Sequence, residues 1–221
     1  MGEKKRFSET ITTFQDYTVP EPNLQLAGYS ALIRVYDLVV PLPHQLSAVS
    51  QKHRDYVEGK WRVFTKRYKP DNTLGAHLTF ALKYEGVNLL LLRSLFRNVD
   101  QEEILDFIHS EPKGRYPRRI WFLYEWLMDR ELPVDDLASI NYVDVIDTKL
   151  QYGGPAEFSK RHRVRNNLPG TRQFCPLVQK TETLEAFKAK HLDQQVNEIL
   201  GSIHKDLITR AAAFMVLKDS K

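Results

Sequence analysis

The chain has almost no cysteine: Cys175 is the one thiol among 221 residues. A lone thiol closes no internal disulfide, so the expected compartment is the reducing cytoplasm. No histidine stands beside it in sequence, and it reads as a small hydrophobe rather than a nucleophile. Long apolar runs are missing too. The most apolar stretch, Val87 to Phe96, is broken by Asn88, Arg93 and Ser94 and is too short to span a bilayer. The opening residues, Met1-Gly2-Glu3-Lys4-Lys5-Arg6, are charged with no apolar segment behind them, unlike a secretory leader. The expectation is a chain without a membrane anchor.

The usual catalytic signatures are also missing. There is no Gly-rich phosphate loop, no dinucleotide fingerprint and no nucleophile elbow. Histidines stand at 44, 53, 77, 109, 162, 191 and 204, and no two are four apart, so no zincin-type helix exists. One cysteine builds no zinc ribbon. No metal or cofactor is expected for this chain by itself. A net charge of +4 permits nucleic-acid binding without arguing for it.

What is present suits a packed domain. Apolar residues make up 42% and charged ones 27%, with eleven Phe and ten Tyr to fill a core. The length fits one good core, or a domain plus part of a second. Residues 1–25 read as a polar arm. Leu32, Ile33, Tyr36 and Val40 fall at helical spacing in a helix over 26–40, which Pro41 and Pro43 end. Trp61 to Tyr68 alternates weakly, as a strand. Thr73 caps a helix with Leu74, Leu78, Ala81, Leu82 and Glu85 on one stripe, and Gly86 ends it. Two more helices follow over 87–97 and 100–109.

The strongest pattern runs from Arg115 to Met128, opened by Pro117 in a first turn. From Ile120 to Met128 only Glu125 is charged, which predicts a central, buried helix. Residues 137–172 are loop-rich, with a short strand at Tyr142–Ile146 and one hairpin. Thr181 and Thr183 open a last helical region, interrupted at Gly201. The final helix, from Lys205, has Leu207, Ile208, Ala211, Ala212 and Met215 on one stripe. It runs to within a few residues of Lys221 without a capping glycine, and reads as an element cut short. The expected fold is mainly α: a helical bundle-like domain with a minor β hairpin or short strands. Its expected divisions are an arm (1–25), a helical domain (26–155), a basic loop (156–180) and terminal helices (181–221).

Three features carry candidate chemistry. Glu125 reads either as a general acid or base with a raised pKa, or as a buried acid paired with an arginine. Positions four residues away are Trp121 and Asp129, so that arginine must come from elsewhere in the fold. Lys113, Arg115, Arg118 and Arg119 cluster at a helix start, against the helix dipole. They suit an anion held with the free N–H groups of the first turn, or they meet the acids Asp100, Glu102, Glu103 and Asp106 on a neighbouring helix. Lys160, Arg161, His162, Arg163, Arg165 and Arg172 form a second cluster. From Phe158 to Lys180 there are six Lys or Arg and no Asp or Glu, with Asn166 and Asn167 as neutral donors. Such a loop touches phosphates or lies on acidic protein surface. It lacks the aromatic interleaving that stacks single strands.

Four stretches carry a resemblance. They are His77-Leu78-Thr79-Phe80-Ala81-Leu82-Lys83-Tyr84-Glu85-Gly86, GRYPRRIWFLYEWL (114–127), SKRHRVRNNLPGTRQFCPLV (159–178) and RAAAFMVLKDSK (210–221). Together they resemble the N-terminal region of a group of bacterial Fic-family proteins, over most of the chain from about Arg54. Fic proteins transfer AMP from ATP to a protein hydroxyl with Mg²⁺, on an all-helical core with a His-Pro-Phe-x-x-Gly-Asn-Gly-Arg loop. No His-Pro pair occurs here. The family's inhibitory helix, Ser/Thr-x-x-x-Glu-Gly/Asn, follows the stretch matching Lys218-Asp219-Ser220-Lys221, so no catalytic or inhibitory residue carries over.

The resemblance implies an accessory domain and the first helices leading into a Fic core. Its partners would be that downstream core in the same polypeptide and a protein target, with ATP and Mg²⁺ used by the whole protein. A homodimer is another way to cover the last helix. The competing readings are a nucleic-acid-binding module using 113–119 and 160–172, and an enzyme acting through Glu125 and the arginines.

Overall fold

The computed structural model of the chain describes residues 7, 9–201 and 205–219. The rest of the arm's start, His204, Ser220 and Lys221 lie outside the described residues. The chain divides into two compact units, 1–179 and 180–221.

The first unit is mixed α/β, which corrects the mainly α expectation. A five-stranded sheet organises its N-terminal third; one strand falls where Trp61–Tyr68 was expected to be a strand, and the rest come from segments expected to be arm, helix and loop. Its strands are β1 (Thr10–Ile11), β4 (Leu24–Leu26), β5 (Leu46–Val49), β6 (Tyr56–Glu58) and β7 (Trp61–Phe64), in the order β1-β4-β5-β7-β6. A small hairpin of β2 (Thr13–Phe14) and β3 (Tyr17–Thr18) lies between β1 and β4 in sequence. β5 and β7 pair in parallel, and the other contacts of the larger sheet are antiparallel. All four residues of β5 are buried, so it shows no alternation. Apart from β7, which alternates weakly, the other strands before α2 span only two or three residues, too short for a period-two signal.

The helix expected over 26–40 is shorter, α1 (Gly28–Val35), because Leu26 belongs to β4 and Asp37 turns left-handed at φ 48°. Gly28 also sits at φ +55°, and a Cβ there would lie 2.1 Å from Oε2 of Glu85. Only glycine lets the chain enter α1 at that point.

Four helices pack behind the sheet: α2 (Leu74–Tyr84), α3 (Leu89–Asn98), α4 (Gln101–Ser110) and α5 (Arg115–Met128). Thr73 caps α2, its Oγ1 accepting from the N–H of Ala76 at 3.2 Å. Asn88 caps α3 in the same way, through the N–H of Leu91. α5 is the axis of the core: Trp121, Ile120 and Leu123 are fully enclosed, and α2, α3 and α4 all pack on it. A second sheet, β8 (Val143–Asp144), β10 (Val164–Asn166) and β9 (Glu157–Ser159), lies against α5.

The second unit consists of α6 (Glu182–Lys188), α7 (Leu192–Gly201) and α8 (Lys205–Asp219). Among the described residues no helix is long and apolar enough to cross a membrane.

Candidate functional site

α5 carries three charged residues into the interior: Arg118, Arg119 and Glu125. The first two stand in the opening turns, where an anion was one expectation. They reach sideways instead, to backbone carbonyls. Arg118 donates through Nη1 to the carbonyls of Asn141 (2.8 Å) and Arg163 (3.0 Å), and through Nε to that of Gly114. Arg119 donates through Nε to the carbonyl of Val145 at 2.9 Å. Asn141 and Val145 lie outside the strands, so their carbonyls need donors from elsewhere, while that of Arg163 already accepts from the N–H of Val143. Burial brings the Arg119 guanidinium down to about 10, and the charge on Arg115 adds to the effect. Arg115 is half exposed and 3.9 Å from Asp147. The acids of α4 are not the partners that hold Arg118 and Arg119.

Glu125 is the hub. Its Oε1 accepts from Trp121 Nε1 (2.7 Å) and from the N–H of Leu132 (2.9 Å), and Arg161 Nη2 lies 3.3 Å away. Its Oε2 meets His162 Nε2 at 2.9 Å. Burial by itself raises the carboxyl pKa. The hydrogen bonds from His162, Leu132, Trp121 and Arg161 outweigh it and bring the group down to about 2. Glu125 is therefore a carboxylate held ionised, not an acid with a raised pKa. The arginine it needed comes from the β9–β10 hairpin.

That hairpin explains the second basic cluster. Residues 160–163 form its loop, with Arg163 left-handed at φ 51°. The loop points Arg161 and His162 at α5. Arg161 also pairs with Asp136 at 2.5 Å and donates to the carbonyl of Leu132 at 2.8 Å, and its guanidinium covers the Trp121 ring. Arg163 donates to the carbonyl of Leu137. Arg165 pairs with Asp144 across the sheet, and Arg172 pairs with Asp129. Lys160 is exposed. Asn167, expected as a neutral donor for phosphate, exchanges both its amide hydrogen bonds with the backbone of Ile146. Gln151 does the same to Val87, a contact no sequence signal marked.

Ser159 extends the hub: its Oγ lies 2.7 Å from His162 Nδ1. Hydroxyl, imidazole and carboxylate thus line up in the order of nucleophile, base and orienter. The imidazole is enclosed, though, with the edges of Trp121 and Phe122 against it. The carboxylate is shared among four donors. The arrangement ties the hairpin to α5 and offers a reacting atom no approach to the imidazole. Cys175 stands apart, its thiol pushed up by burial. Among the described residues no three His, Cys, Asp or Glu converge as metal ligands.

Compared with known families, curated proteins and solved structures, the chain matches none of them.

Proposed function

We propose that this chain is the non-catalytic, accessory portion of a Fic-family protein, a regulatory, scaffold or target-recruiting part for a core that transfers AMP from ATP to a protein hydroxyl. One observation carries the reading. Three of the four stretches that resemble the family contribute to one unit: 77–86 to α2 and its end, 114–127 to α5, and 159–178 to the hairpin that clamps Glu125 and the loop after it. Residues that hold a unit together are those a related domain has to share. In this reading ATP and Mg²⁺ are held by the downstream core rather than by these residues, the protein target docks on this portion, and the compartment is the cytoplasm.

The nucleic-acid alternative is weakened by where the guanidinium groups go. Arg118, Arg119, Arg161, Arg163, Arg165 and Arg172 all have carbonyl or carboxylate partners within the unit. Filter binding to DNA and RNA at physiological salt is expected to be negligible. Submicromolar binding that falls steeply with salt would favour the alternative instead.

The direct test is the reading frame beyond codon 221. It is expected to continue into a Ser/Thr-x-x-x-Glu-Gly helix and then a His-Pro-Phe loop. A stop codon there overturns the proposal. The chain alone, incubated with labelled ATP and Mg²⁺, is expected to transfer no label. Transfer that survives repurification overturns the non-catalytic half.

A further inference from the structure

Phe7 is buried although its neighbours in sequence are polar. Its ring stacks on His77, centroids 4.5 Å apart and planes 20° from parallel, and it leans on Tyr36 at 6.1 Å. Its N–H donates to Asn72 Oδ1 at 2.6 Å. His77 is itself enclosed, and its Nδ1 has no partner among the described residues. A buried imidazole without a hydrogen bond at that nitrogen is a poor polar core residue but a good flat face for a phenyl ring. One aromatic side chain in a seat, with its own N–H caught by a side-chain carbonyl, is how a peptide is bound.

The seat opens into a groove of about 1040 Å³ along the start of α2 and the flank of α4. That is the size of a ligand cleft, roughly 300–1,000 Å³ for small molecules. One wall is aromatic: Tyr68, Phe80 and Tyr84, backed by Phe64. The lining is also acidic. Asp71, Asp100, Glu103 and Asp106 belong to it, against Lys69 and Lys83 as the lining cations. Glu103 is engaged by the Tyr36 hydroxyl. Asp100 heads α4, and its side chain accepts no hydrogen bond from the helix N–H groups. The segment whose phenylalanine fills the seat reads Lys4-Lys5-Arg6-Phe7 in sequence. Three cations precede the anchor, and four carboxylates line the groove.

We propose that this groove is a binding site for an extended peptide bearing an aromatic side chain preceded by basic residues, and that the chain's own Phe7 holds it in cis. The apolar seat supplies affinity and the carboxylates select the flanking cations. A partner peptide of the same chemistry has to displace Phe7, so its apparent affinity is reduced by the fraction of seats already filled. This inference is independent of the family reading.

The test uses the full chain and a labelled peptide of residues 1–9, followed by fluorescence anisotropy. Phe7→Ala empties the seat and leaves the other groove residues in place. The peptide is expected to bind Phe7→Ala saturably and to bind wild type at least tenfold more weakly. Replacing phenylalanine by alanine in the peptide is expected to abolish saturation. Adding Asp100→Asn and Asp106→Asn is expected to weaken binding several-fold and flatten its dependence on salt. A second measurement needs no emptied seat. In a Lys4→Glu, Lys5→Glu, Arg6→Glu chain, exchange of the Phe7 amide hydrogen is expected to speed up at least tenfold. A folded Phe7→Ala chain that fails to bind the peptide overturns the proposal, as does equal binding of the peptide lacking phenylalanine. Unchanged exchange in the charge-reversed chain overturns the selection by carboxylates.

Discussion

Glu125 Oε2 and His162 Nε2 lie 2.9 Å apart although 37 residues separate them in sequence. That contact, with Arg161 beside it, joins the central helix to a hairpin that otherwise has little apolar area to bury. Removing the carboxylate leaves Arg161, the Leu132 N–H and the Trp121 N–H without their shared acceptor. Breaking a buried ion pair from one side costs about 3–5 kcal/mol. Glu125→Ala is expected to fall in that range by urea unfolding. Glu125→Gln, which keeps an acceptor for Trp121 and Leu132, is expected to lose less. A loss below about 1 kcal/mol for the alanine variant, the size of an exposed pair, would mean that the clamp is ornamental.

The same hub sets an acid limit. Against burial, the hydrogen bonds to Glu125 take it from the ordinary 4.5 down to about 2 in the folded chain. The unfolded chain therefore binds the proton first as pH falls. Stability from this group is fully present above pH 4.5 and is lost between 4.5 and 2. Melting temperature followed over that range is expected to drop in wild type and to drop less in Glu125→Gln. Parallel curves for the two proteins would contradict the assignment.

Glu85 gives the opposite slope. Part of the residue reaches solvent, but its Oε1 is shut off from it. Burial raises the group from 4.5 to about 7, while Ser47, the N–H of Tyr29 and the charge on Arg62 pull it back. Here the folded chain keeps its proton after the unfolded chain has lost it. Stability from Glu85 is therefore greatest below pH 4.5 and declines as pH rises to 7. Glu85→Gln is expected to gain on wild type as pH goes from 5 to 8, measured by denaturant midpoint at each pH. A difference that stays constant across that range would remove Glu85 as the source.

Gly28 and Gly59 make a controlled pair. Both have positive φ, +55° and +56°. A Cβ at Gly59 meets nothing within 4 Å, whereas one at Gly28 collides with the Glu85 carboxyl and with Phe80. Gly59→Ala is expected to cost about 1–2 kcal/mol, the backbone penalty alone. Gly28→Ala carries the same penalty and also displaces the carboxylate at the start of α1, so its loss is expected to be clearly larger. Equal losses in chemical denaturation would show that Glu85 moves aside freely.

The helices were legible where a side chain announced a boundary. Thr73 caps α2, Gly86 stands left-handed just past its end, and α5 occupies the span that its apolar pattern marks. Of the larger sheet only β7 was legible, through the weak alternation that starts at Trp61. β5 is buried throughout, and β1, β4 and β6 are too short to alternate, so local pattern could not separate them from loop or helix. The site was half legible. Glu125 stood out as the one charge in an apolar run. Its partners lie 36 and 37 residues away in a loop whose arginines look, in sequence, like a surface for phosphate. Asn167 reads as a phosphate donor and Gln151 gives no signal, because an amide that replaces a backbone pair is defined by what it faces.

The last helix presents a different problem. Phe214, Met215, Val216 and Leu217 are consecutive, and each is 64–69% exposed. Successive residues of an α-helix turn by about 100°, so these four point around the whole axis. A single flat partner covers at most part of them. Apolar surface of this extent is normally buried in an interface. The chain is expected to self-associate, giving a light-scattering mass above its 25.8 kDa that rises with concentration. Phe214→Glu with Met215→Glu places charge on two sides of α8 and is expected to return the mass to the monomer value. The first unit has its own core, so its urea transition is expected to stay in place in that variant. A wild-type chain that is strictly monomeric and indistinguishable from the double variant would show that α8 tolerates water on every side.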